Sequence, residues 1–273
     1  MSAGIVIMSR SRQSAHRVWA LARAEGVLLR RNRLALLTAL ALPVALVYTL
    51  KAAPSVADAG GSRGAGAVLL TGLMAFALLF AVYYNLVAAL VARREQFVLK
   101  RLRTGESTDA EILAGTAAPA IAIAWAQIAV AAVAAVAVFG VAPPVNAALV
   151  LVALVCGTAV FVLLAAVSTA VTRTVEMAQV TTLPVLMISC AFSGLLFPLA
   201  VLREPLWSAA QALPLTPVVD LMRLGLTGTA ADGHHLGPGA AFGAASVPVL
   251  VLAAWIAAGG WAAQRWFRWE PRR

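Results

Sequence analysis

The sequence predicts an all-α polytopic membrane protein. It has six transmembrane helices, a cytoplasmic interfacial helix before the first, and short re-entrant helices between the fifth and sixth. Three observations predict this. Of 273 residues, 62% are hydrophobic and 12% charged, where a soluble domain carries about 25% charged residues. A soluble fold of this size cannot hide so much apolar surface, so the solvent is lipid. Six charge-free apolar runs follow one another at 34–50, 65–92, 116–139, 147–171, 180–202 and 245–263, and a bilayer core takes roughly 17–25 such residues per helix. None alternates with period two, which argues against a β-barrel. Finally, Lys and Arg alternate by loop. The segments 1–33, 93–115, 172–179 and 264–273 hold 17 of the 21, and 51–64, 140–146 and 203–244 hold four.

That alternation sets the direction. Cytoplasmic loops attract Lys and Arg, so both termini are expected in the cytoplasm and the protein in a plasma membrane. The net charge of +10 then describes orientation and contact with anionic lipid, and nucleic acid is not expected as a partner. The two cysteines, Cys156 and Cys190, lie inside apolar runs and give no disulfide framework.

Residues 1–33 form the first unit and 34–273 a single six-helix membrane domain. Within 12–33, Val18, Leu21, Ala24 and Leu28 follow helical spacing, with Arg12, Arg17, Arg23, Arg30 and Arg31 around them. Such a basic amphipathic helix lies in the membrane interface. Arg30-Arg31 before the first run also resemble a twin-arginine signal, but removing that run would leave five spans. The second run, 28 residues long, must tilt or project into water.

Loop 93–115 departs from the charge rule. It carries five basic and four acidic residues, although topology needs only the basic ones. Phe97, Leu99 and Leu102 add an apolar edge, so the segment reads as a short docking helix for a partner, or as a solvated loop. Thr108 and Glu111 have capping-box spacing and start the helix that feeds the third span. On the other side, loop 203–244 is too apolar to be a plain loop. Thr216 is placed as an N-cap before Pro217, which predicts a short helix over 217–226 ending near Gly228. Short helices at membrane depth must be buried in protein. Pro184, Ser193-Gly194 and Pro198 are expected to break the fifth span.

The intervening chemistry is sparse. No Asp, Glu, His, Lys or Arg lies within the six spans, which argues against a proton- or sodium-coupled carrier. No catalytic constellation and no Gly-x-x-x-x-Gly-Lys-Ser/Thr occurs, so the chain is read as a non-enzyme that hydrolyses no nucleotide itself. Asp232, His234 and His235 do not amount to a metal site. The polar residues inside spans, Tyr83, Asn85, Gln127 and Thr181 among them, either hydrogen-bond between helices or line a pathway.

These residues resemble the permease subunit of ABC-2 type transporters, the exporters of the ATP-binding-cassette class. The family carries Arg-Glu-x-Gly-Thr-Leu-x-x-Leu-x-x-Thr-Pro after its second span, and Arg94, Glu95, Leu99, Leu102 and Thr104 match it. The chain departs with Phe97-Val98 at the Gly-Thr and Gly105 at the proline. Glu111-Ile112-Leu113-Ala114-Gly115 matches the segment that follows. Ser193-Gly194-Leu195-Leu196-Phe197-Pro198 matches a Ser-Gly-x-x-Phe-Pro hallmark, and Leu213-Pro214-Leu215-Thr216, Asp220 and Arg223 match the region after it.

The resemblance implies a bacterial inner-membrane efflux permease that works as a dimer with a second copy or close paralogue. ATP and Mg would be bound on a separate nucleotide-binding subunit, with no cofactor on this chain. Arg94, Glu95, Phe97, Leu99, Arg101 and Leu102 would form the coupling helix. Ser193, Gly194, Phe197, Pro198, Asp220 and Arg223 would form the outer gate, and Tyr83, Asn85, Gln127 and Thr181 the pathway. The implied substrate is hydrophobic or amphipathic, of the drug or antibiotic kind moved by daunorubicin-resistance exporters, or a lipid or polysaccharide. A membrane scaffold or sensor without transport is the other open reading.

Overall fold

The computed structural model describes residues 62–105, 108–195, 206–230, 234–267 and 269–270. The expected interfacial helix at 12–33 and the first span at 34–50 lie outside the described residues. Among the described residues the protein is all-helical apart from one isolated β-bridge, Thr229 to His235. Five helices there are long and apolar enough to cross a membrane.

Helix α1 runs as Ser62–Phe76, a π-helical segment Ala77–Tyr84, and Asn85–Glu95. It is followed by the short α2 (Val98–Arg103) and by α3 (Asp109–Phe139). Next come α4 (Ala147–Ser168) and α5 (Val175–Phe192). The connection to the last span holds α6 (Leu206–Gln211), α7 (Thr216–Thr227) and α8 (Pro238–Ala244), and α9 (Ser246–Trp266) closes the order.

Local chemistry accounts for most ends. Thr108 accepts from the Glu111 backbone N–H at 3.3 Å, and the Thr108 N–H donates to Glu111 Oε2 at 2.8 Å. The capping box therefore starts α3, two turns before the apolar run begins. Asn146 and Thr174 cap α4 and α5 in the same way, by accepting from Leu149 and Met177. Gly140 and Gly228 end α3 and α7 in the left-handed conformation that glycine adopts without strain.

Several expectations are corrected. The fifth span begins at Val175 rather than 180, because Thr174 supplies the cap. It passes unbroken through Pro184, as spans do when neighbouring groups take up the freed backbone. Its last described turn ends at Ser193-Gly194. The fourth helix ends at Ser168, short of 171. Thr216 is not an N-cap: it is the first residue of α7, and its hydroxyl donates to the Phe192 carbonyl at 3.0 Å. The second span is no uniform α-helix. Residues Ala77–Tyr84 are π-helical, and ALLFAVYY contains no glycine or proline to mark the change.

The core sits where α1, α4 and α7 meet. Gly157 on α4 lies against Leu78 and Val218, and Gly225 on α7 lies against Val150 and the Asn146 carbonyl. A Cβ at Gly225 would stand 2.5 Å from Val150 Cγ2. Small residues at these points let α7 press onto α4, although α7 is too short to span. Its nearly all-buried residues show that the connection between the last two spans is part of the bundle.

Candidate functional site

The chain presents two candidate sites, one at each end of α1. At its C-terminal end α1 stops at Glu95, and Phe97 turns the chain with φ 58° and ψ 13°. It is the only non-glycine residue of positive φ among those described. For a bulky side chain this backbone costs about 1–2 kcal/mol. The strain falls at the position where the resemblance drawn from the sequence expects glycine. Phe97 is 54% exposed. It stands at the tip of a knuckle, with Glu95, Lys100 and Arg101 exposed around it.

The other predicted coupling residues separate by burial. Leu99 is buried, while Leu102 is half-buried. Arg94 is only 1% exposed. Its Nη1 donates to the Thr169 carbonyl at 2.8 Å, and its Nη2 to those of Thr172 at 2.5 Å and Arg173 at 3.2 Å. These carbonyls follow the end of α4, where backbone acceptors lack helical partners and the helix dipole favours a cation. Arg94 therefore joins the knuckle to the α4–α5 turn and is not on the outward face with Glu95.

The knuckle is braced from its far side. Lys100 Nζ lies 2.9 Å from Glu270 Oε1, and Arg103 Nε lies 3.2 Å from Asp109 Oδ1. The Arg103 guanidinium also sits 5.0 Å from the Trp269 ring centroid. Behind these contacts is a cavity of about 440 Å³ lined by Thr108, Asp109, Leu113, Leu163, Gln264 and Trp269, among others. None of these tail contacts was visible in the sequence, since Glu270 lies far along the chain from Lys100.

At the opposite end, α7 is tied to the end of α5. Thr216 donates to the Phe192 carbonyl, and Arg223 Nη2 donates to the Gly194 carbonyl. Gly194 has φ 75°, and the buried Ser193 hydroxyl donates to the Cys190 carbonyl at 3.3 Å. Phe197 and Pro198 lie outside the described residues. The structure thus brings Ser193, Gly194, Asp220 and Arg223 into one corner. Asp220 is 6% exposed, and its Oδ1 has no hydrogen-bond partner among the described residues. Burial pushes its pKa up from 3.8 to about 6 against the opposing pull of Arg223. Burial likewise lowers Arg223, which Asp220 offsets.

The four predicted pathway residues differ in burial and in what they bond. Tyr83 is fully buried in the π-helical segment. Its hydroxyl pairs with Ser168 Oγ at 3.0 Å, and its ring lies 6.3 Å from that of Phe161. Thr181 Oγ1 pairs with Thr172 Oγ1 at 2.8 Å, beside the carbonyls that Arg94 holds. Asn85 is exposed and Gln127 half-buried. Tyr83 and Thr181 are engaged between helices, as most polar groups in spans are. The feature that sequence reasoning missed is the π-helix itself, and such segments are frequent at functional sites.

The sequence matches the family described as ABC-2 type transporter over residues 16–227. No curated protein matches it.

Proposed function

Because this chain belongs to the ABC-2 type transporter family, we propose that it is the permease subunit of an ATP-driven exporter. In this reading the basic end faces the cytoplasm of a bacterium, and the α1–α2 knuckle docks on a separate nucleotide-binding subunit. ATP with Mg²⁺ is held and hydrolysed on that partner. A second copy of the permease completes the pathway, and the cargo is a hydrophobic or amphipathic molecule of the drug, antibiotic or lipid kind.

The observation that carries the reading is Phe97. A large apolar side chain held exposed on a strained backbone does nothing for folding. It suits insertion into an apolar groove, with Glu95 and Arg101 at the polar rim. The buried members of the same motif supply the transmission. A push on α2 reaches the bundle through Leu99, and Arg94 carries it to the turn between α4 and α5. Along α1 it meets the π-helical segment, where a changed hydrogen-bond register absorbs displacement. Tyr83 in that segment is bonded to Ser168 on α4, so α1 and α4 move together. Thr216 and Arg223 then link α7 to the end of α5.

The test is capture of the ATPase. Glu95→Ala and Phe97→Ala should each weaken co-purification of the nucleotide-binding subunit at least tenfold and lower substrate-stimulated hydrolysis. Both should leave the permease monodisperse in detergent. Unchanged capture by both variants overturns the docking assignment.

A further inference from the structure

Between α6, α7 and the start of α9 lies a cavity of about 340 Å³. Pro217, Leu224, Val247 and Val251 make its wall apolar, and Trp207 adds an indole. Among the described residues, one that lines it bears a charge: Asp220, which is 6% exposed and whose Oδ1 has no donor there. Arg223, which acts on Asp220 electrostatically, gives its Nη2 to the Gly194 carbonyl. A buried carboxylate oxygen left without a donor is costly unless a cation or a proton meets it.

We propose that this cavity binds a hydrophobic molecule bearing a protonated amine. The ammonium pairs with the carboxylate of Asp220 on the cavity wall, and the apolar body lies against Trp207 and Leu224. An apolar pocket with a single placed polar group is the usual architecture for orienting such a ligand, and the indole face adds attraction for the cation. Anions are repelled by the carboxylate. Polyols find few partners here, since besides Asp220 only Gln211 and the Trp207 indole offer polar groups among the described lining residues. The volume lies at the low end for ligand sites, which sets the body at one or two fused rings. The same chemistry can come from an exported amine or from the ethanolamine headgroup of a lipid. This deepens the exporter reading and rests on it for the role in transport, though not for the binding itself.

The experiment uses the full-length permease in an uncharged maltoside detergent, without any ATPase. Two fluorescent probes of one shape are compared: naphthylmethylamine, which stays protonated between pH 5 and 8, and naphthylmethanol, which is neutral. The wild type should bind the amine at least tenfold more tightly than the alcohol at pH 7.5. Asp220→Asn should abolish that preference and leave alcohol binding unchanged, which also reports that the cavity has folded. In the wild type the preference should fade as the pH falls below about 6, where the carboxyl takes up its proton. Added phosphatidylethanolamine that displaces the amine assigns the site to lipid, and failure to displace assigns it to a free amine. Equal binding of both probes by the wild type, no binding of either, or a preference that survives Asp220→Asn overturns the proposal. Should Asp220→Asn fail to fold, the wild-type probe pair and its pH series decide alone. Amine binding together with failed ATPase capture would retain this site and sink the transport reading.

Discussion

The two ends of the bundle use the same residue types in opposite ways. Each spends an arginine on backbone carbonyls: Arg94 on those of Thr169, Thr172 and Arg173, and Arg223 on that of Gly194. The acid beside each arginine then differs. Glu95 is exposed, whereas Asp220 is buried with an oxygen unmet. Apolar residues differ in the same sense, since Phe97 is pushed outward on a strained backbone while the apolar face of α7 is buried against α4. The knuckle is a rigidly mounted surface with its chemistry facing out. The α7 corner is an interior with its chemistry facing in. Arginine bonds backbone carbonyls at both ends, and the position of the acid separates the end proposed to meet a partner from the one proposed to hold a small ligand.

The largest effect that would break this comparison is expected at Arg94. Arg94→Ala removes the donors to three carbonyls, and losing a buried charged partner costs about 3–5 kcal/mol. Thermal unfolding in detergent should show a loss of this order, with little folded protein recovered. Arg94→Lys should rescue only part of it, because an ammonium does not reproduce the planar fork. Wild-type stability in Arg94→Ala would mean that Arg94 belongs to the docking face after all.

Next in size is a pH effect at Asp220. Its pKa in the fold is raised from 3.8 to about 6, so the folded state holds the proton more tightly than the unfolded chain. The penalty for folding with a charged Asp220 is absent below about pH 4, grows between about 4 and 6, and is complete above. At roughly 1.4 kcal/mol per pKa unit it amounts to about 3 kcal/mol. The wild type should therefore gain stability as the pH is lowered from about 7.5 to 5, and Asp220→Asn should flatten that gain. A stability that falls over this range, or a gain that Asp220→Asn leaves intact, would remove Asp220 from the interior.

Phe97→Gly sharpens the contrast because its two readouts should move oppositely. Glycine relieves the left-handed backbone and should stabilise the permease by about 1 kcal/mol. It also deletes the exposed ring, so ATPase capture should weaken. Movement of both in one direction would separate the strain from the docking role. The smallest effect belongs to the brace. Lys100→Ala or Glu270→Ala breaks an exposed ion pair and should change stability by no more than about 0.5 kcal/mol, with the difference vanishing in high salt. A larger change would make the tail part of the knuckle's mount.

The legible parts of this protein were those written in short stretches of chain. The capping box at Thr108 and Glu111 and the end of α7 at Gly228 need only neighbours three or four residues away. The same holds for the apolar runs behind the five described spans. The proposed docking segment stood out because four acids and an apolar edge lie among its five bases. The corrected place of Thr216 and the burial of Arg94 were hidden, because the carbonyls they bond, at Phe192 and Thr169, are set by helices packing far away in sequence. Pro184 misled for the same reason: whether a proline breaks a helix depends on what surrounds the freed carbonyl.

The sequence by itself therefore determined the solvent, the described spans and the site where a partner is expected. Burial of apolar residues in lipid and the placement of charge outside it are properties of composition along the chain. Only the tertiary structure decided which charges are interior. It buried Arg94 and Asp220, left Glu95 and Phe97 outside, and set a π-helical turn into the second span. Those outcomes depend on which carbonyls, cavities and neighbouring helices each side chain meets, and close packing assigns these across distances that no local pattern encodes.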